Sequence, residues 1–195
     1  MNEDDELTAL VNNLSKRTII HDAEGIVKYF KRIVVNKRER ILESNSRCNF
    51  IYYIYNGALR SYIETNNKEV TIMLAFKDWW ITDIDSFTNG TISNINIDVQ
   101  QDSIIYALSK NNFDKLIAIS PTFESAFRKM MQYSYIREQR RSVALIHKTS
   151  KTRYLELIDK FPTIEQDISQ KVIASYLGIS PEFLSAMKKK IKLKS

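Results

Sequence analysis

The chain has 195 residues, 44% hydrophobic and 27% charged, with a formal net charge of +6 and a single cysteine, Cys48. That apolar content supports a packed core and excludes a disordered tail. One cysteine excludes an internal disulfide and any cysteine-held zinc or iron–sulfur cluster.

The charge is segregated. Residues 1–120 hold 14 Lys/Arg against 16 Asp/Glu, whereas 121–195 hold 15 against 7. Solubility does not require such a split, so the second half is expected to meet a polyanion. No stretch approaches the length needed to span a bilayer, and the acidic start Met1-Asn-Glu-Asp-Asp-Glu lacks the apolar core of a signal peptide. A cytoplasmic protein with no membrane partner is expected.

Two short helices are predicted over 7–20 and 23–32, with Leu7, Leu10, Val11 and Leu14 on one face and Ile26, Val27, Phe30 and Ile33 on the other. From Val34 the pattern turns to strands. Asn49 to Glu64 is aromatic and β-branched, and Asn56-Gly57 within it predicts a tight hairpin. Asn66-Asn67 marks a second turn. Val70, Ile72, Leu74 and Phe76 alternate with Thr71, Met73 and Ala75, Ile95, Ile97 and Val99 alternate with Asn94, Asn96 and Asp98, and Ser103–Leu108 predicts a further strand. Many short strands with regular turns indicate a roll, barrel or sandwich. Trp79 and Trp80 are read as sealing that roll rather than as a ligand box.

A short helix is predicted over Asn111–Ile119. Pro121 then opens a helical stretch to about His147 with no internal Gly or Pro. A helix of that length suits pairing with a second copy across a two-fold axis, with Phe127, Met130, Met131 and Ser134 on the pairing face. Thr152–Lys160 forms another helix, ended by Phe161-Pro162, and Ile164 and Ile168 lead on from it.

Residues 170–191 are the most informative. Val172, Ile173, Tyr176 and Leu177 repeat at helical spacing, and Ala174 leaves room for a close helix crossing. Gly178 accepts positive φ at a turn. Ser180 is a good N-cap, Pro181 suits the first helical position, and Glu182 lies at the positive end of the helix dipole. Leu184 and Met187 point inward. Two short helices joined by a Gly turn are a helix-turn-helix, which reads DNA in the major groove. The expected DNA-binding residues are Gln170, Lys171, Ser180, Glu182, Phe183, Ser185, Ala186, Lys188 and Lys189. Short polar groups near the helix start suit bases, and lysines further along suit phosphates.

A β-roll, long helix and helix-turn-helix in that order resemble the Crp/Fnr family of transcription regulators. Arg153-Tyr-Leu-Glu-Leu-Ile-Asp-Lys-Phe-Pro, Gln170 to Ser185, and the Asp78-Trp-Trp-Ile-Thr-Asp segment resemble its Bacteroidetes branch. The resemblance implies an α+β fold: an N-terminal jelly-roll, cyclic-nucleotide-binding-like domain with flanking helices over 1–120, a long dimerisation helix and linker over 121–149, and a winged-helix-like helix-turn-helix domain over 150–195. It implies a homodimer reading a near-palindromic site, with double-stranded DNA and RNA polymerase as partners.

Nucleotide-binding members use a Gly-Glu pair for ribose and an Arg-Ser or Arg-Thr pair for the cyclic phosphate. Aligned on Phe87 and Gly90, those positions are Thr82-Asp83 and Ser93-Asn94, and no Lys or Arg lies between Lys77 and Lys110. A buried phosphate without a cation is costly, so the effector is expected not to be cyclic AMP. The effector is an unknown small molecule or none, with Asp83, Ser86, Ser93 and Asn94 as candidate ligand residues. Related chains often carry Ser-Arg-Ile-Arg-Arg-Lys where this one has Ser185-Ala-Met-Lys-Lys-Lys, so Ala186 cannot grip guanine as an Arg does. Any β-wing after Ile191 is expected to be missing or rudimentary.

No cofactor, metal or catalytic residue is expected. His21 and His147 read as surface or packing residues, and no phosphate loop, nucleophile triad or carboxylate pair occurs. The alternative to a regulator is a ligand- or protein-binding sensor module with a weak or vestigial helix-turn-helix.

Overall fold

The computed structural model describes residues 3–193 apart from 17, 19, 21 and 67. His21, Asn67 and the final two residues of the basic tail therefore lie outside the described residues. Helix α1 (Glu3–Ser15) and a single turn, α2 (Ala23–Val27), precede the roll. Leu10 and Leu14 of α1 are buried as their spacing predicts. The helix expected over 23–32 stops early, because Phe30 already enters a strand and pairs with Leu108.

Among the described residues six strands form one antiparallel sheet. They are β1 (Phe30–Val35), β2 (Arg40–Leu42), β3 (Phe50–Thr65), β4 (Lys68–Phe76), β5 (Trp80–Ile81) and β6 (Asn96–Ser109). The strand order is β1-β6-β3-β4, with β2 on β6 and β5 on β3.

The expected Asn56-Gly57 hairpin does not form. β3 runs straight through both residues, and its register with β6 shifts there instead. Gly57 takes φ +103° to make that bulge, and a Cβ on it would meet the Ser103 side chain. Pairing of β3 along the whole of β6 outweighs the local turn preference. The hairpin falls at the next signal, where Thr65 pairs with Lys68 and Asn66 has φ +46°. Likewise the two strands expected over 95–108 are one, β6.

The alternation expected along β4 breaks at a register shift opposite Ser61 and Tyr62. Val70 is consequently exposed and Thr71 buried.

Short α3 (Ile84–Asn89) follows β5, and α4 (Lys110–Ile119) leads to α5 (Pro121–His147), a 27-residue helix. Pro121 opens α5 as the sequence indicates, and the Ser120 side chain caps it. Beyond lie α6 (Ser150–Lys160), α7 (Ile164–Asp167), α8 (Gln170–Leu177) and α9 (Pro181–Lys192). Among the described residues no strand follows α9, and no helix is long and apolar enough to cross a membrane.

The core has two parts. One fills the roll beneath α1, α4 and the first half of α5. The other, built from α6 to α9, reaches into the roll through Ala58 and Leu74. Polar ties reinforce this docking. The Thr71 amide donates to the Ser175 hydroxyl at 2.8 Å, and that hydroxyl donates to the Glu69 carbonyl at 2.9 Å. Gln101 donates to Asp167 at 2.6 Å, and the rings of Phe76 and Phe161 lie 4.4 Å apart.

Candidate nucleic-acid interface

The last helices meet as local chemistry demands. Gly178 closes α8 in the left-handed region at φ +69°. The Gly178 amide donates to the Ser175 carbonyl and the Ile179 amide to the Ala174 carbonyl, each at 3.0 Å, the Schellman pattern that satisfies a helix end. Ala174 is fully buried. The Ser180 hydroxyl accepts the Phe183 amide at 3.1 Å and so caps α9. The Glu182 carboxyl is held below its ordinary pKa by its own backbone amide and by the Ser180 hydroxyl.

Leu184 and Met187 are buried against α8, so the opposite face of α9 looks outward. Glu182, Phe183, Ala186 and Lys189 are exposed on that face, and Ser185 is half-buried. Lys188 is drawn aside to Glu165 at 2.5 Å, and Glu165 also accepts from the Tyr154 hydroxyl at 2.8 Å. Gln170 and Lys171 are exposed at the start of α8, where Gln170 donates to the Pro181 carbonyl at 3.2 Å. Exposed Lys190 extends the basic surface. A polyanion meeting this face would find Lys171, Lys189 and Lys190 free to reach phosphates, with short side chains between them.

Three of the four candidate ligand residues come together. Asp83 caps α3 by accepting the Ser86 amide, and its other oxygen accepts the Ser93 hydroxyl at 2.7 Å. The Ser86 hydroxyl accepts the Cys48 amide and donates to the Thr91 carbonyl. These groups are buried and hydrogen-bonded to one another. Asn94 is exposed outside the cluster.

The pairing face expected on α5 requires correction. Phe127 and Met131 pack against the roll core and Met130 is buried in it, because α4 and Phe113 lie under that half of the helix. Ser134 is half-buried. The uncovered apolar stripe lies further along, at Tyr135, Ile136, Val143 and Ile146. Its members stand one, seven and three residues apart, intervals that a turn of 3.6 residues brings to one side of the helix.

The two tryptophans also divide. Trp80 does seal the roll, against Phe30 and Tyr53, and its indole N–H donates to Asn13 at 2.9 Å. Trp79 turns the other way, toward α5 and the C-terminal helices, with the Arg137 guanidinium 4.2 Å above its ring. His147 is exposed at the end of α5.

No protein-family model matches this sequence, and no curated protein matches it either. Solved structures do share its fold. The c-di-GMP-responsive global regulator CLP of Xanthomonas campestris aligns with a TM-score of 0.71 at 13% identity, over 88% of this chain and 90% of that one. A Eubacterium rectale chain described as a Crp/Fnr-family transcriptional regulator aligns with a TM-score of 0.72 at 16% identity, over 94% and 88%. FixK2 of Bradyrhizobium japonicum gives 0.68 at 16% identity, over 85% of each. At these identities the likeness concerns the fold. The chain has the α+β architecture of the Crp/Fnr-type proteins, an antiparallel roll with flanking helices followed by a long helix and a C-terminal helical region.

Proposed function

We propose that this chain is a DNA-binding transcription regulator of Crp/Fnr type, of the Bacteroidetes-like branch. Its units are the roll over 1–120, the long helix and linker over 121–149, and a helix-turn-helix head over 150–195. The observation that carries this reading is the outward face of α9, which carries exposed Glu182, Phe183, Ala186 and Lys189 while Leu184 and Met187 are buried behind it. In an ordinary core hairpin both faces would be covered. The α5 stripe of Tyr135, Ile136, Val143 and Ile146 supports a homodimer, because such a row needs an apolar partner. RNA polymerase is the further partner, and the cytoplasm is the compartment. Catalysis is no part of the proposal, since CLP and the Eubacterium rectale chain are both described as regulators.

Cyclic AMP is not the effector. Ser93 stands at the position aligned with the phosphate-holding Arg and donates instead to the Asp83 carboxylate, and no Lys or Arg lies between Lys77 and Lys110 to replace that cation. Calorimetry with cyclic AMP is expected to show no heat of binding.

The test is selection from a randomised duplex pool, followed by gel shift at two salt concentrations. A regulator enriches a near-palindromic sequence and keeps its preference at the higher salt. A merely basic surface loses all binding together, and that outcome overturns the reading. Lys189→Ala is expected to weaken binding on every sequence alike and to lower the salt slope by about 1.

A further inference from the structure

We propose that the cavity between the roll, α5 and the C-terminal helices is a binding site for a small aromatic anion, and that its ligand holds these three parts together. The regulatory meaning of that ligand rests on the DNA-binding reading, but the binding itself does not.

The cavity measures about 560 Å³, within the range of metabolite-sized sites. Phe76 and Trp79 come from the roll, Arg137 and Arg141 from α5, and Lys160 and Tyr176 from the C-terminal helices. Asp83, Ser86 and Ser93 take no part in its walls. It is therefore separate from the position where related folds would hold a nucleotide.

The wall charge is unbalanced. Six cationic side chains line the cavity against two carboxylates, Asp78 and Glu156. Both carboxylates are already engaged. Asp78 accepts from the Tyr53 hydroxyl at 2.7 Å and pairs with Lys16 at 3.3 Å, while Glu156 pairs with Lys148 at 2.5 Å. The Lys160 ammonium rests over the rings of Trp79 and Phe161, 5.3 Å from each centroid. Burial against those rings, then nearby Arg137, push its pKa below the ordinary lysine value; the acid that opposes this, Glu138, is hydrogen-bonded to Arg137. Arg153 also lines the cavity, and its Nε is buried without a hydrogen-bond partner. With Lys148 and Arg137 paired to Glu156 and Glu138, the cations of the wall still outnumber its acids, and cations crowded against aromatic walls fit a ligand with a negative group and a flat apolar body.

The location supplies the consequence. A molecule touching all three parts binds only while they are together, so it stabilises this docked arrangement over any in which the C-terminal helices swing away. The segment 148–149 between α5 and α6 is where such a swing would occur.

The probe is 8-anilinonaphthalene-1-sulfonate, an aromatic anion, titrated into the full chain beside its neutral parent, N-phenyl-1-naphthylamine. Saturable binding near one molecule per chain is expected, with quenching of tryptophan emission, since both tryptophans line the cavity. The Arg137→Gln/Lys160→Gln variant should bind the sulfonate about tenfold more weakly, change the neutral compound little, and melt like the parent. Lys160→Glu alone serves if the double variant melts early. Lys190→Gln, on the outer face of α9, should bind as the parent does. The sulfonate should also slow tryptic cleavage between Lys148 and Lys151. Unsaturable binding, equal loss in Lys190→Gln, or no loss in the cavity variants overturns the site. Unchanged cleavage overturns the coupling. Absence of sequence-selective DNA binding would overturn the proposed function and leave this site standing.

Discussion

Arg141 grips Tyr176 twice: its guanidinium lies 4.5 Å from the ring centroid, and it donates to the Tyr176 carbonyl at 3.2 Å. One side chain of the long helix thus stacks on α8 and satisfies one of its orphan C-terminal carbonyls. Arg153, on α6, donates to the next carbonyl, that of Leu177, at 2.9 Å. Arg141→Ala is expected to cost the docked arrangement about 1–2 kcal/mol. Amide exchange should quicken in α8 and α9 while β3 and β6 stay protected. Uniform exchange throughout the chain would refute a local role.

The glycines of the bulge and of the α8 end should respond differently to alanine. At Gly178 an added Cβ meets nothing within 4 Å, so only the positive φ is penalised, about 1 kcal/mol. At Gly57 it would lie 2.0 Å from the Ser103 hydroxyl and 2.8 Å from the Ser103 Cα, so β6 itself must shift. Urea unfolding should show Gly57→Ala the worse variant by at least about 1 kcal/mol. Equal midpoints would refute the bulge.

Acid should release α1 from the sheet. Glu6 is buried, and the Arg32 guanidinium donates to both its oxygens at 2.7 and 3.0 Å, with the Tyr106 hydroxyl at 2.8 Å. Hydrogen bonding from Arg32 leads the causes that hold the Glu6 pKa below its ordinary 4.5, against the opposing effect of burial. A depressed carboxyl contributes stability that is present above the unfolded value and lost as pH falls through the folded one. The loss from this pair therefore begins near pH 4.5 and deepens below it. Glu6→Gln should cost about 2 kcal/mol at neutral pH and flatten the dependence below pH 4.5. Urea titrations at several acid pH values would decide, and an identical slope in the variant counts against the assignment.

Ile146 is 87% exposed on the single chain. Placing a charge there costs that chain little, whereas in a paired helix it would bury the charge against a partner. Ile146→Asp is expected to shift sedimentation from dimer to monomer at micromolar concentration without lowering the secondary-structure signal. A dimer that persists would move the interface elsewhere.

The sequence by itself determined what is settled within a few residues. Ser120 with Pro121, Ser180 with Pro181, and Ala174 with Gly178 set the bounds of α5, α8 and α9, because caps and left-handed turns depend on groups three to five positions away. The long helix, the strand-rich first half and the inward Leu184 and Met187 were legible for the same reason. Tertiary structure decided the rest. Asn56-Gly57 carries a hairpin signal, yet extended pairing between β3 and β6 turned it into a bulge. Trp79 and Trp80 are neighbours in a chain that alternates faces, and only the packing of α5 and Phe161 set Trp79 against the C-terminal helices while Trp80 turned to Phe30 and Tyr53 in the roll. Which stripe of α5 lies bare depended on where α4 and the roll cover it. Such outcomes arise from contacts between residues tens of positions apart, whose combined burial outweighs any local preference.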